Sequence, residues 1–186
     1  YAACMAFCRG LAGRPLGNLY RDMVRITTRI LIPAAFLTGL LLVSQGTPQT
    51  LAGNITVETI EGKFQDIAVG PVAALESIKH LGTNGGGFFG ANSSTPFENP
   101  TVISNIAEMI SMMILPGSCV VTFGLMLHDR KDGKKPLFGR QGAVIFGAMA
   151  VIFLIGLAVC FSAEKAGNPV IGAMGLSQDM GSMEGK

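Results

Sequence analysis

Charged residues are scarce in this sequence of 186 residues. Asp, Glu, Lys and Arg together make up 14% of the chain, whereas a typical soluble domain has about 25%. The mean hydropathy is correspondingly high, at +0.48. This composition argues against a soluble globular domain and indicates a membrane protein.

Motifs for zinc or redox chemistry are also absent. No CxxC pair occurs, and the two histidines are not spaced as metal ligands. We therefore expect neither a zinc site nor a disulfide framework, and we interpret the cysteines as small packing residues. They lie inside or beside apolar stretches, at Cys4, Cys8, Cys119 and Cys160.

Nucleotide-binding motifs are missing too. The chain contains no GxxxxGK[ST] sequence, and its central glycines lack the preceding strand and the later acidic residue of a dinucleotide site. We therefore expect that this chain binds no nucleotide. We separately expect no catalytic residues and no nucleic-acid partner. No signal peptide is recognisable, so targeting would depend on the apolar segments themselves.

Three apolar segments have about the 20 residues that cross a bilayer, or nearly so. They predict transmembrane helices at residues 30–45, 102–127 and 141–163, with a kink at Pro116 in the second. Residues 1–29 are interpreted as the end of a preceding transmembrane helix and a basic loop. Tyr1 stands where a complete chain would begin with Met, so we expect a piece of a longer protein.

Basic residues concentrate before the first predicted span and between the second and third. Because Lys and Arg favour the cytoplasmic side of a membrane, residues 128–140 are predicted to be a cytoplasmic loop. Residues 46–69 and the segment 164–186 are then extracytoplasmic, and the former is interpreted as a simple loop. The two basic groups are Arg9, Arg14, Arg21, Arg25 and Arg29, and Arg130, Lys131, Lys134, Lys135 and Arg140.

A short helix is predicted at residues 70–82, after the first span. Pro71 is a favourable start because its missing N–H has no helical partner to lose. A helix of about 11 residues reaches about 16 Å, roughly half of a bilayer core. We therefore predict a half-crossing helix that ends inside the membrane.

The glycine-rich loop, defined here as residues 83–101, follows that helix. Non-helical backbone at membrane depth is tolerated only where protein covers it or where water and ions reach it. A selectivity filter is one such place, because glycine allows successive carbonyls to face one axis. We predict a filter at Thr83, Asn84, Gly85, Gly86 and Gly87. The alternative is a mobile linker between helices.

Three further residues of this loop are predicted to support the filter. Phe88 and Phe89 would pack behind it, and a solvated linker would have no use for two adjacent phenylalanines. Asn92 would stabilise a turn through its side-chain amide. The carbonyl end of the short helix carries partial negative charge, which favours a cation at the loop.

Polar residues recur every three to four positions at the start of the second span. This spacing predicts one polar helical face, and Asn105 and Glu108 are the candidates to face the pore. The alternative for Glu108 is a hydrated position near the membrane surface. His80 and His128 are interpreted as interface residues. The face comprises Ser104, Asn105, Glu108 and Ser111.

The segment LGTNGGGFFGANSSTPFENPT, residues 81–101, resembles the second pore loop of a known family. This family is the potassium-binding, channel-like subunit of the bacterial Kdp potassium pump. The similarity continues through GPVAALESIKH, VSQGT, VETIEG and MEGK, and thus covers nearly the whole chain. One departure is Gly90, where the family commonly has Asn.

The resemblance implies an all-α membrane fold of the potassium transporter superfamily, built from helix, pore loop and helix repeats. It implies potassium as the bound ion, with residues 83–87 as one of four filter strands. Implied partners are a P-type ATPase catalytic subunit, which would contain the DKTG-like sequence missing here, small accessory subunits and membrane lipid. The implied location is the bacterial inner membrane, with the filter entered from the extracytoplasmic side.

Two alternatives to an ATP-driven transport subunit remain open. One is a free-standing potassium channel or symporter of the same superfamily. The other is a membrane scaffold in which the glycines only allow close helix packing.

Overall fold

The computed structural model describes residues 1–83, 85–127, 139–176 and 178. Helices dominate, and three of them are long and apolar enough to cross a membrane, so the expected helical membrane fold is confirmed. The chain divides into two compact units, Tyr1–Gly142 and Ala143–Lys186. The helices are α1 (Ala2–Leu11), α2 (Leu19–Ile26), α3 (Ile32–Ser44), α4 (Val72–Leu81), α5 (Val102–Leu127), α6 (Arg140–Ala166) and α7 (Pro169–Ala173).

The first long helix starts earlier than the apolar run. It extends from Leu19 to Ser44 and joins α2 to α3 through a π-helical turn, Thr27–Leu31. The Asn18 side chain accepts a hydrogen bond from the N–H of Arg21 (3.0 Å) and so caps its N-terminus. Residues 19–29, which the sequence assigned to a basic loop, are therefore helical. The π-helical turn lies where Pro33 offers no N–H to the carbonyl of Arg29.

Residues 46–69 contain a β-hairpin where the sequence predicted a simple loop. Strand β1 (Asn54–Glu58) pairs antiparallel with β2 (Phe64–Ala68), and Ile55 lies opposite Ile67. Gly62, with a φ of +75°, supplies the left-handed residue in the connecting turn. Three consecutive β-branched residues in β1, Ile55, Thr56 and Val57, favour an extended backbone.

Helix α4 is short and largely buried. The Ala73 N–H donates to the carbonyl of Pro48 (3.0 Å), and the Ala74 N–H donates to Gln49 Oε1 (2.9 Å). These bonds satisfy donors of the first turn that have no partner within the helix. Seven of its ten residues are buried: Val72, Ala73, Glu76, Ser77, Lys79, His80 and Leu81.

Helices α5 and α6 differ in what they bury. Helix α5 runs through Pro116 without a break in its helical assignment, and its buried residues are Ser104, Glu108, Ser111 and Gly124. Among the described residues of α6, only Gly142 is buried. The predicted cytoplasmic loop, including His128, lies almost entirely outside the described residues.

Candidate functional site

The glycine-rich loop begins directly where α4 ends. Thr83 donates its N–H to the carbonyl of His80 (3.0 Å) and has a left-handed φ of +73°. That conformation is unfavourable for a β-branched residue. The backbone is therefore strained at Thr83, the first residue of the loop. Asn84, the next residue of the predicted filter, lies outside the described residues.

Three consecutive glycines follow, and all three have positive φ. The values are +150° for Gly85, +77° for Gly86 and +78° for Gly87. Gly85 and Gly86 are exposed, whereas Gly87 is half-buried. The backbone therefore favours glycine at each of these positions, and the filter assignment itself stays a prediction.

Two carbonyls of the consecutive glycines accept hydrogen bonds within the loop. Gly85 O accepts from the N–H of Gly87 (2.9 Å), and Gly86 O accepts from the N–H of Asn92 (3.2 Å). A carbonyl oxygen has two lone pairs, so the bond from Asn92 leaves one on Gly86 O available to a further partner. Asn92, with a φ of +53°, thus supports Gly86 through its main chain, whereas the sequence predicted a role for its side chain.

The two phenylalanines pack behind the glycines. Phe88 and Phe89 meet edge to face, with ring centroids 5.0 Å apart, and Phe89 lies 6.0 Å from the ring of Phe97. A Cβ built on Gly70 would lie 2.6 Å from the Phe88 ring. Glycine at position 70 therefore makes room for the aromatic residue, at the start of the segment that leads into α4.

Glu98 binds the loop backbone from the inside. Its Oε1 accepts the N–H of Phe89 (2.9 Å) and its Oε2 accepts the N–H of Ser93 (3.0 Å). The side chain is completely buried. One carboxylate thus satisfies two backbone donors on either side of the left-handed residue Asn92.

A buried charge cluster, defined as Glu76, Lys79, His80 and Glu108, lies beside Glu98 and the loop. Glu76 Oε2 is 2.7 Å from Lys79 Nζ and 3.2 Å from His80 Nε2. His80 Nε2 is also 3.2 Å from Glu108 Oε2. The imidazole therefore bridges a carboxylate of α4 and one of α5.

Ser93 connects this cluster to the loop. Its hydroxyl donates to Glu76 Oε2 (2.6 Å), accepts from Lys79 Nζ (2.5 Å) and lies 2.9 Å from His80 Nε2. Glu76 Oε2 thus receives hydrogen bonds from both Ser93 and Lys79.

The same cluster contains the ligand types of a cation site. One ligand atom each from Glu76, His80 and Glu108 lie within 4.8 Å of one another. The Lys79 ammonium, however, is bound to the same Glu76 oxygen as His80, and a divalent ion there would be repelled by it. We therefore interpret the cluster as internally compensated by Lys79 and His80.

The polar face of α5 is split in the structure. Ser104, Glu108 and Ser111 are buried, whereas Asn105 is exposed and its Oδ1 accepts from Asn99 Nδ2 (3.1 Å). Glu108 is only 2% exposed, so within this chain it faces α4 rather than a hydrated surface.

Sequence reasoning missed the groups behind the loop. No role was predicted for Glu76, Lys79 or Glu98, and His80 was assigned to the interface although it is 2% exposed. The available signal was the spacing of Glu76, Lys79 and His80 by three and four positions on one short helix. Ser93 offered no comparable signal.

Fold and site together define a multi-pass membrane protein in which a short helix and a glycine-rich loop lie between two long apolar helices. The sequence model of the family described as "KdpA: Potassium-transporting ATPase A subunit" matches residues 1–186. The chain belongs to this family.

Curated relatives have the corresponding names. "Potassium-transporting ATPase potassium-binding subunit 2" of Staphylococcus aureus is 53% identical over 188 residues, which is 100% of this chain and 32% of the relative. "Potassium-transporting ATPase potassium-binding subunit" of Clostridium acetobutylicum is 54% identical with the same coverage. The protein of that name from Geobacillus kaustophilus is 48% identical over 94% of this chain and 30% of its own length. The chain thus spans about a third of the relatives' length.

Proposed function

We propose that this chain is part of the potassium-binding subunit of an ATP-driven potassium uptake complex, and that residues 83–87 bind K⁺ through backbone carbonyls. The proposal rests on one observation above all. Three consecutive glycines with positive φ, two of them exposed, follow the end of a short and largely buried helix. The family and the names of the relatives support potassium as the ion.

The physical basis is the replacement of the ion's hydration shell by carbonyl oxygens. The carbonyl oxygen of Gly86 retains a lone pair beyond the bond that it accepts from Asn92. Helix α4 ends at Leu81 immediately before the loop, and the partial negative charge of its C-terminus favours a cation nearby. The remaining ligands would come from equivalent loops in other parts of the subunit.

The partners follow from the names of the relatives, which are subunits of an ATPase. ATP hydrolysis would take place in a P-type catalytic subunit, with small accessory subunits in the same complex, and this chain would be non-catalytic. The complex would lie in the bacterial inner membrane, in contact with lipid. With its basic segments in the cytoplasm, the loop would be entered from the extracytoplasmic side.

The test is potassium-dependent ATPase activity of the full-length complex carrying Gly86→Ala or Gly86→Asp, with Na⁺ and Rb⁺ as competitors. No atom lies within 4 Å of a Cβ at Gly86, so the alanine variant mainly adds backbone strain of about 1–2 kcal/mol. We expect the half-saturating potassium concentration to rise about fivefold or more, with weaker discrimination against Na⁺. Gly86→Asp should have a larger effect.

The matched control is Gly53→Ala, which also meets no atom within 4 Å and has no left-handed φ. It should leave potassium affinity unchanged. If both Gly86 variants also retain affinity and selectivity, the glycines only pack helices and the filter assignment is wrong. Potassium flux that persists without ATP would instead support a free-standing channel or symporter.

A further inference from the structure

Two completely buried carboxylates contact the glycine-rich loop: that of Glu76, on α4, and that of Glu98, which lies in the loop itself. Both side chains have 0% exposure, so within this chain neither is in contact with solvent. Any influence of these groups on a bound cation must therefore be transmitted through the loop backbone or through the electric field.

Glu98 fixes the return of the loop after the glycines. It accepts the N–H groups of Phe89 and Ser93, and between them Asn92 donates its own N–H to the carbonyl of Gly86. Asn92 and Ser93 have left-handed φ values of +53° and +64°, which are costly for side-chain-bearing residues. The bonds to Glu98 therefore stabilise the conformation in which Asn92 reaches Gly86.

Glu76 fixes the same return from a second direction. Its Oε2 accepts the hydroxyl of Ser93 (2.6 Å), and it is itself oriented by Lys79. Ser93 thus donates its N–H to Glu98 and its hydroxyl to Glu76. Charge-assisted bonds of this kind are stronger than neutral ones.

Both carboxylates also abut the third glycine. A Cβ at Gly87 would overlap the carboxylate of Glu76 and lie 2.8 Å from Glu98 Oε1. The backbone of Gly87 therefore lies in close contact with the carboxyl groups of Glu76 and Glu98. Its N–H donates to the carbonyl of Gly85. The position of the exposed glycines depends on the position of these carboxylates.

We infer that Glu76 and Glu98 are positioning residues for the loop, and that they determine its preference among alkali cations without contacting the ion. The inference rests on the proposed function of residues 83–87. A purely structural role would affect how much complex assembles, whereas a positioning role changes the ratio of affinities for K⁺, Rb⁺ and Na⁺.

The test uses Glu98→Gln in the full-length complex, with potassium-dependent ATPase activity and competition by Rb⁺ and Na⁺ as readouts. A glutamine keeps one acceptor oxygen but presents an NH₂ group to the second backbone N–H. We expect the half-saturating potassium concentration to rise about tenfold and discrimination against Na⁺ to fall. The rate at saturating potassium should change much less.

Glu108→Gln is the charge-matched control. It removes the same charge from the same buried region, but the ion-pair partner of Glu108 is His80 on α4 and not the loop backbone. Its effect on the affinity ratios should be clearly smaller than that of Glu98→Gln. Equal effects of the two variants would mean that the field of the charges, and not loop position, sets the preference, and would overturn the inference.

Ser93→Ala decides the matter if Glu98→Gln prevents assembly. It removes only the hydroxyl that binds Glu76 and keeps the N–H that binds Glu98. We expect a shift of about threefold in half-saturating potassium, in the same direction. Unchanged affinity ratios in Ser93→Ala, or in an assembled Glu98→Gln complex, would overturn the inference.

Gly86→Ala measured in parallel separates this inference from the proposed function. If Gly86→Ala shifts potassium affinity while Glu98→Gln and Ser93→Ala do not, the filter stands and the positioning role fails. If Gly86→Ala has no effect, the filter assignment fails, and the positioning role with it.

Discussion

Helices α5 and α6 are both long enough to cross a bilayer, yet they differ in how many of their residues are buried within the chain. In its most apolar stretch, α5 has 17% of its residues buried, whereas α6 has none. The buried residues near the start of α5 are polar: Ser104, Glu108 and Ser111. The mean hydropathy of that stretch is 2.0 in α5 and 2.8 in α6.

This difference shows that hydropathy identifies a span but not its surroundings. A buried polar group must find a partner, because an unpaired one costs several kcal/mol in an apolar environment. Glu108 pairs with His80 on α4. The Ser104 hydroxyl donates to Asn99 Oδ1, and the Ser111 hydroxyl donates to the carbonyl of Ala107. Helix α6 has no comparable face among its described residues, and its apolar side chains require lipid or other protein surfaces.

The largest effect is expected from replacing one lysine with methionine in each of two regions: the short helix α4 beside α5, and the end of α6. Lys79→Met removes the ammonium bound to Glu76 and leaves a buried carboxylate less compensated, which costs about 3–5 kcal/mol. Lys165→Met removes an exposed charge at the end of α6 and should be nearly neutral. The measurement is the thermal unfolding temperature and yield of the purified full-length complex.

Equal behaviour of the two lysine variants would contradict the view that the region around α4 depends on buried charge compensation. Lys79→Met in particular should lower the unfolding temperature even in a detergent that leaves Lys165→Met unaffected.

A smaller effect is expected from alanine at two adjacent glycines. Gly87→Ala places a Cβ against the carboxylates of Glu76 and Glu98, whereas Gly86→Ala meets open space. Their φ values are almost equal, +78° and +77°, so backbone strain is the same in both. Gly87→Ala should therefore reduce assembly as well as potassium affinity, and Gly86→Ala chiefly affinity. The check is complex yield measured beside ATPase activity, and equal yields would contradict it.

The smallest effect is expected on α6. Ile152 is 72% exposed, and lipid tails are as apolar as the side chain itself. Ile152→Ala should therefore change the stability of the complex in a bilayer by less than about 1 kcal/mol, measured by thermal unfolding in nanodiscs. A loss of about 2–5 kcal/mol, typical of a buried core position, would mean that protein covers this face.

The long helices were the most predictable part of the fold. The sequence predicted a span at residues 102–127, and α5 is Val102–Leu127, because a long and mainly apolar run favours one helix. The helical start at Leu19 was missed because Arg21 and Arg25 were taken as loop residues. The hairpin at β1 and β2 was missed because its strands are short and show no clear alternation of apolar and polar residues.

The glycine-rich loop was partly predictable and the groups behind it were not. Consecutive glycines indicate unusual backbone conformations wherever they occur, so Gly85 to Gly87 could be selected from the sequence. The contact of Glu98 with the N–H groups of Phe89 and Ser93 depends on the return path of the chain. Such tertiary contacts leave no periodic signal in a single sequence.

The buried charge cluster has a consequence for biosynthesis. Helix α4 holds Glu76, Lys79 and His80 within ten residues, and a translocating segment with this many charges is poorly accepted by the hydrocarbon core. Glu108, the partner of His80 on α5, emerges from the ribosome later. Helix α4 should therefore remain at the membrane–water interface until α5 has been inserted. The site is then completed only after insertion of α5.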